Sequence, residues 1–112
     1  MDCLFCRIAA GTLPASKVYE DDVVVAFEDI HPGAPTHILI VPRRHLAGLD
    51  VAAPGDAELL GRLQLTAAAL ARQLGLAEGY RTVVNVGPDA GQSVDHLHLH
   101  LLGGRALGWP PG

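Results

Sequence analysis

Long apolar runs and runs of basic residues are both missing from this 112-residue sequence. No apolar stretch approaches the ~20 residues that a membrane-spanning helix needs, and the first residues lack the pattern of a signal peptide. The formal net charge is −4, and lysine and arginine do not cluster, which argues against a nucleic-acid-binding surface. We expect a single domain over residues 1–112, with neither a membrane nor a nucleic acid as partner.

Cysteine is also scarce. The two present, Cys3 and Cys6, are too close in sequence to close a useful structural loop, so we expect reduced thiols and a cytoplasmic location. Two common phosphate-binding motifs, GxxxxGK and GxGxxG, are absent, which excludes a P-loop and a Rossmann site at the motif level. Any nucleotide chemistry must therefore use other residues.

The sequence does contain a clear succession of helix-like and strand-like segments. We predict a short helix over residues 2–11 with Asp2 as its cap, and a long helix from Asp56 to about Leu74 that Asp56 caps and Gly75 ends. The predicted strands are the two arms of a hairpin, a mostly apolar central strand and two later strands: residues 18–20, 23–28, 36–42, 80–86 and 96–102. These elements predict an α+β fold, an antiparallel sheet covered by the long helix.

The last predicted strand alternates histidine and leucine. In a regular strand His96, His98 and His100, here called the histidine row, project from one face and the intervening leucines from the other. Imidazoles are poor core material because each carries a donor and an acceptor that must be satisfied. The row is therefore either a catalytic face or a polar, metal-chelating one, and the alternation alone does not choose between them.

Cys3 and Cys6 are separated by two residues, and His45 and His96 are candidates to complete a Cys2His2 site. Thiolates and neutral imidazoles in tetrahedral geometry suit zinc. A redox-active dithiol is a second interpretation, although the βα unit that usually precedes one is missing. A third is that both cysteines are small buried apolar residues.

Residues that suit a phosphate group lie just before the histidine row. Gly91, Gln92 and Ser93 precede it, and Asn85 lies on the neighbouring predicted strand. Backbone N–H groups beside glycine, with hydroxyl, amide and imidazole donors, can hold a phosphate oxyanion, and a histidine beside them can attack phosphorus. Taken singly, each of these polar residues is better explained as an ordinary loop or turn residue.

The segment from His96 to Leu102 resembles the histidine-triad signature, His-φ-His-φ-His-φ-φ with φ apolar. The flanking Gly91-Gln92-Ser93-Val94 and Gly103-Gly104-Arg105 are similar to the Hint branch of the histidine-triad (HIT) family. Further matching segments cover essentially the whole chain: residues 19–22, 29–30, 34–37 and 109–112. The resemblance implies the HIT fold, an antiparallel five-stranded sheet with one long helix and a short N-terminal helix, the sheet continuing across a homodimer.

The resemblance also implies residue roles. His98 would be the nucleophile that attacks an α-phosphate, with His100 near the phosphate, the His96 backbone orienting the His98 ring and Ser93 contacting the phosphate or the departing group. The implied nucleotide-binding residues would contact the ribose, the apolar purine slot and the phosphate: Asp29, Phe5, Ile8, Leu13, Phe27, Ile30, Asn85, Gly91, Gln92, Ser93, His98 and His100.

Bacterial-type family members often hold a structural zinc through two cysteines and two histidines, and the matching positions here are Cys3, Cys6, His45 and His96. The resemblance implies neither a catalytic metal nor an organic cofactor. Two positions depart from the family pattern: Asp95, where relatives often have a bulky or aromatic residue, and His31 in the loop near the base.

The expected function is that of a purine nucleoside phosphoramidase, a nucleotidyl hydrolase that releases AMP or GMP through a covalent nucleotidyl-histidine. One alternative is a dinucleoside polyphosphate hydrolase of the same family, against which the Hint-like tail at Trp109 argues. Others are a nucleotide-binding interaction module with incidental catalysis and, from Cys3 and Cys6, a thiol oxidoreductase.

Overall fold

The predicted helices and strands are present, with shifted limits at several ends. The structure, a computed structural model, describes residues 3–112. In chain order the helices and strands are α1 (Leu4–Ala9), β1 (Lys17–Glu20), β2 (Val24–Glu28), β3 (Thr36–Pro42), α2 (Ala57–Gln73), β4 (Tyr80–Val83) and β5 (Leu99–Gly103). Short 3₁₀ turns lie in the connections at Leu49–Val51, Pro54–Asp56 and Pro88–Ala90.

The five strands form one antiparallel sheet in the order β1-β2-β3-β5-β4, which confirms the predicted α+β class. The central strand β3 is buried on both faces, as its apolar composition predicted. Ile38 and Ile40 pack into the core beneath α2, and Leu39 and Val41 pack into the core beneath α1. The two helices therefore cover opposite faces of the sheet.

Helix α2 lies on the sheet through an apolar stripe along one of its faces. Leu63, Ala67 and Leu70 recur at intervals of three and four residues and are at most 3% exposed. The helix ends where predicted, because Gly75 has φ +73°, a conformation that glycine adopts without steric cost. Neither α1 nor α2, the helices of the described residues 3–112, has the length and hydrophobicity needed to cross a membrane.

The predicted caps differ from those observed. Asp56 stands directly before α2, but its side chain accepts a hydrogen bond from the Ala53 N–H at 2.9 Å and so closes the preceding turn instead. The sulfur of Cys3 caps α1 by accepting from the Cys6 N–H at 3.4 Å. The predicted cap of this helix, Asp2, lies outside the described residues.

The strand limits near the histidine row also need correction. β4 ends at Val83, three residues before the predicted end, and β5 begins at Leu99, three residues after the predicted start. The Leu97 N–H donates at 2.6 Å to the carbonyl of Leu46, in the loop that follows β3. The backbone of Leu97 is therefore held by a loop rather than by a neighbouring strand, and His96 and His98 precede the regular strand.

Candidate active site and metal centre

The histidine row faces the side of the sheet that α1 covers. Leu97, Leu99 and Leu101 are at most 2% exposed and pack beneath α2, so the histidines between them point the other way. Burial of each leucine contributes roughly 1.5–3 kcal/mol, which anchors the row although its first part is not a strand. The ring centroids of His98 and His100 are 5.0 Å apart. The two-sided alternation predicted from the sequence is therefore present.

His98 is held in one tautomer by the backbone carbonyl of His96. Its Nδ1 lies 2.8 Å from the carbonyl oxygen of His96, and the residue is 4% exposed. A carbonyl oxygen can only accept, so Nδ1 carries the hydrogen and Nε2 of the neutral ring carries the lone pair. This is the form that a histidine nucleophile requires.

A separate hydrogen-bonded chain orients His100. The Gly33 N–H donates to Nδ1 of His37 at 2.9 Å, so the hydrogen of the neutral His37 ring is on Nε2. That nitrogen lies 2.9 Å from Nδ1 of His100 and donates to it. The neutral His100 ring must therefore carry its own hydrogen on Nε2.

The Nε2–H group of His100 is left without a partner. Within residues 3–112 it is the one buried side-chain nitrogen or oxygen that makes no hydrogen bond. An unsatisfied buried donor costs about 1–3 kcal/mol, and in a native fold such a group calls for an explanation. A donor beside the His98 ring is suited to an anionic oxygen, which would satisfy it.

Burial keeps the His37–His100 pair uncharged near neutral pH. Desolvation, with smaller contributions from the neighbouring His98 and His37, lowers the pKa of His100 to about 4. Burial also lowers the pKa of His37, although the carboxylate of Asp29 opposes this. Asp29 Oδ2 lies 3.4 Å from His37 Nε2, and Oδ1 accepts from the His31 N–H at 2.8 Å. The half-buried carboxylate thus lies beside the chain that orients His100.

The four predicted metal ligands meet in space. His96 Nδ1 lies 3.3 Å from Cys3 Sγ, 3.5 Å from Cys6 Sγ and 3.2 Å from His45 Nδ1, and Cys6 Sγ lies 3.4 Å from His45 Nδ1. We call these four residues the Cys2His2 cluster. Residues distant in sequence are brought together because α1, the loop after β3 and the start of the histidine row converge here.

The Cys2His2 cluster fits zinc. Tetrahedral zinc, with bonds of about 2.3 Å to sulfur and 2.0–2.1 Å to nitrogen, separates its ligand atoms by roughly 3.3–3.4 Å for an N–N pair and roughly 3.5–3.6 Å for an N–S pair. The His96 Nε2–H donates to the Pro42 carbonyl at 2.8 Å, which turns the Nδ1 lone pair toward the sulfurs. Burial and the neighbouring Cys3 raise the pKa of Cys6, and a bound cation would reverse that tendency.

The predicted purine slot is divided in the structure. Phe5, Ile8 and Phe27 are at most 6% exposed and pack together in the core beneath α1. Leu13 packs at the edge of that core, whereas Ile30 is 87% exposed in the loop after β2. Most of the apolar surface open to a ligand among these residues is therefore that of Ile30.

The predicted phosphate loop is held by Gln92. Its Nε2 donates to the carbonyls of Ala47 at 2.8 Å and Val94 at 3.1 Å, and its Oε1 accepts from the Gly87 N–H at 3.0 Å. The amide therefore connects three loop segments, a role that its position in the sequence did not indicate. Ser93 is exposed at the end of this loop.

The other predicted loop residues are placed by the turn itself. Gly91 has φ +79° and follows the 3₁₀ turn Pro88–Ala90, a conformation that suits glycine. Asn85 is half-buried in the segment that follows β4, beyond the strand on which it was predicted.

His37 is the site residue that sequence reasoning did not assign a role. It lies in β3, two residues before Leu39 and so on the same face of the strand. Because the register pairs Leu39 with His100 of β5, the side chains of His37 and His100 meet across the adjacent strands. Their ring centroids are 5.1 Å apart. A histidine within an otherwise apolar central strand was the available signal.

The fold carries two features that can be compared with known proteins: a hydrogen-bonded histidine row and a Cys2His2 cluster. The profile of the HIT domain matches residues 10–107, and the chain belongs to the HIT domain family. This confirms the family expected from the alternating histidines.

Relatives and solved structures agree with that assignment. "Adenylylsulfatase HINT1" of Arabidopsis thaliana is 50% identical over 97% of this chain and 76% of its own length. The "14 kDa zinc-binding protein" of Brassica juncea is 50% identical over 99% of this chain and all (100%) of its own length. A crystal structure of a HIT family hydrolase from Legionella pneumophila superimposes with a TM-score of 0.98 at 51% identity, covering 99% of this chain and 100% of that one.

Proposed function

We propose that the chain is a purine nucleoside phosphoramidase, a nucleotidyl hydrolase that works through a nucleotidyl-histidine. The observation that carries the proposal is the pairing of two tautomers: His98 presents a lone pair at Nε2, and His100 presents an unpartnered N–H at its own Nε2. A nucleophile beside a positioned donor is the arrangement that phosphoryl transfer uses, because the donor stabilises charge on the phosphoryl oxygens.

The reaction proceeds in two displacements. His98 Nε2 attacks the α-phosphorus and an N–P bond forms, while the bond to the departing nitrogen breaks and that nitrogen takes a proton from solvent to leave as the amine. The His98 Nδ1–H stays hydrogen-bonded to the His96 carbonyl, which stabilises the positive charge that the ring acquires. Water then attacks the same phosphorus and releases the nucleoside monophosphate and the free imidazole.

The remaining predicted residues bind the nucleotide. The Asp29 carboxylate has acceptor capacity left for ribose hydroxyls beyond its contact with the His31 N–H. Ile30 supplies exposed apolar surface for the purine, with Phe5 and Phe27 packed beneath the site. The loop residues that we assign to the phosphate, with Gln92 acting by holding the loop, are Asn85, Gly91, Gln92 and Ser93.

A structural zinc in the Cys2His2 cluster is part of the proposal. The ligand distances support it, and the Brassica juncea relative is named a zinc-binding protein. Metal analysis of protein purified without chelator should find about one zinc per chain. A metal-free protein that is equally stable would contradict this.

Leaving-group preference decides between two candidate activities. The Arabidopsis thaliana relative is named an adenylylsulfatase, which makes adenylyl sulfate the second candidate substrate. We would compare turnover of adenosine 5′-phosphoramidate, adenylyl sulfate and diadenosine polyphosphates under the same conditions. The proposal expects the phosphoramidate to have the highest kcat/KM. Faster adenylyl sulfate hydrolysis would assign the second activity, and preference for the dinucleotides would overturn both.

We also propose a homodimer joined along β4. This strand is the last in the sheet, so it has an unpaired edge. Beside it lies a cavity of about 710 Å³ lined by residues 75, 76, 78–81 and 104–107. Sedimentation should give twice the chain mass, and Arg81→Pro, which removes a backbone donor from this strand, should shift the protein to monomer; an unchanged dimer would exclude this edge.

A further inference from the structure

We infer that the Cys2His2 cluster positions the nucleophile: a metal bound there holds the peptide group that orients the His98 ring. The inference depends on the proposed role of His98 as nucleophile. It makes His96 a positioning residue and assigns the metal a second effect besides stabilising the fold.

The coupling passes through one peptide group. The carbonyl of His96 accepts from His98 Nδ1 at 2.8 Å, and the N–H of the same peptide unit, that of Leu97, donates to the Leu46 carbonyl at 2.6 Å. Because a peptide group is planar, fixing one end fixes the direction of the other. Leu46 follows His45 and Leu97 follows His96, so both partners of the Leu97–Leu46 bond are adjacent to metal-ligating residues.

A second connection runs through Phe5, which lies between the two cysteine ligands. Its ring contacts His98 edge-on, with centroids 5.1 Å apart and planes at 79°, and contacts His96 at 5.9 Å. Phe5 is 4% exposed and is packed on Phe27 at 5.5 Å. Since close-packed side chains transmit displacement, movement of the cysteines would move the support of the His98 ring.

The His37–His100 pair supplies an internal comparison. His37 is held by the Gly33 N–H and lies beside Asp29, and its Nε2–H donates to His100. None of these hydrogen bonds includes a residue of the Cys2His2 cluster. A local positioning effect should therefore change His98 and leave the His37 Nε2–H unchanged, whereas general loosening would change both.

The test follows two imidazole protons by NMR in protein with ¹⁵N-labelled histidine. Removing zinc with a chelator should accelerate solvent exchange of the His98 Nδ1–H at least about fivefold, the low end of typical coupling, and leave the His37 Nε2–H exchange rate unchanged. Equal acceleration of both protons, or of neither, in protein that is still folded would overturn the inference.

A second measurement applies if the chelated protein unfolds. In cobalt-loaded protein, saturating AMP should shift the visible absorption bands of the metal, and the shift should be absent in His98→Ala. Unchanged bands with bound AMP would overturn the inference while leaving the proposed function intact. If AMP fails to bind, the proposed function fails instead. The coupling is then tested by whether the solvent-exchange rate of the His98 Nδ1–H differs between zinc-loaded and cadmium-loaded protein.

Discussion

The two ends of the histidine row use the same side chain in opposite ways. At the first end, His96 is completely buried, with Nε2 donating to Pro42 and Nδ1 turned toward two sulfurs. At the other end, His100 has one nitrogen occupied by His37 and the other buried without a partner. The first end is a closed set of contacts and the second is incomplete.

This difference separates a structural site from a reactive one. His100 lies two alternating positions beyond His96. The His96 ring is satisfied within the chain, whereas the His100 ring needs a ligand atom as the partner of its Nε2–H. His98, between them, shares features of both, because its Nδ1 is satisfied by the His96 carbonyl and its Nε2 is available. The hydrogen-bonding partners of the ring nitrogens, rather than burial, therefore distinguish a structural histidine from a reactive one, since His96 and His98 are both at most 4% exposed.

The largest expected effect comes from removing the nucleophile. His98→Ala should lower kcat for an adenosine phosphoramidate by about 10⁶-fold, as loss of a covalent nucleophile does. Steady-state kinetics would measure this, with zinc content and the unfolding transition as controls for an intact fold. Activity within tenfold of the parent would show that another group attacks phosphorus.

Breaking the closed end should reduce stability, in addition to the effect on the His98 ring that is inferred above. Cys3→Ser should lower the free energy of unfolding by about 4 kcal/mol when zinc is present at a thousandfold its Kd, the linkage value for a site that only the folded state offers. Urea unfolding gives the number. The control is the same pair of proteins in chelator, where the difference should disappear; a difference that persists there would exclude zinc as its cause.

Breaking the open end should affect turnover more moderately. His37→Leu removes the donor that fixes the His100 tautomer, so the Nε2–H of His100 is no longer enforced, and kcat should fall by less than the roughly 10²–10³-fold that loss of a charge-stabilising donor itself costs. His37→Gln keeps an amide N–H near the Nε2 position and should recover part of the rate. Equal rates for the two variants would show that the tautomer is not what His37 controls.

The smallest expected effect is a pH dependence of stability. The pKa of His100 is about 4 in the fold and near 6.5 in the unfolded chain, so the unfolded state binds more protons between these values. The free energy of unfolding is therefore highest above pH 6.5 and decreases as the pH falls toward 4, because protonation of His100 favours the unfolded chain.

Urea unfolding at pH 7 and pH 5 should therefore show a larger decrease in the parent than in His100→Gln. We expect a difference of roughly 1 kcal/mol after solvent screening. Identical decreases in the two proteins would mean that His100 is not held neutral by burial.

Much of the site could be predicted from residues whose spacing is local. The alternation of leucine and histidine identified two faces because side-chain direction in an extended segment alternates whatever its partners are. The four ligand types of the Cys2His2 cluster were likewise visible in the sequence, and they do meet.

What depends on distant partners could not be predicted. The start of β5 is set by the Leu97–Leu46 hydrogen bond to a loop, and the role of His37 depends on the register between β3 and β5. The tautomers of His98 and His100 follow from carbonyl and N–H groups that only the folded backbone brings near. The loop-holding role of Gln92 was not predicted for the same reason, since its contact with the carbonyl of Ala47 joins residues 45 positions apart.

Trapping the reaction intermediate would show whether His98 forms the covalent bond to phosphorus. The protein is mixed with a slowly hydrolysed adenosine phosphoramidate, quenched, digested and analysed by mass spectrometry, with His100→Gln treated in parallel. We expect an adenylyl group on the peptide that contains His98, assigned by fragmentation to that ring in both proteins. An adduct on His100 or His96, or turnover with no adduct at any time, would contradict it.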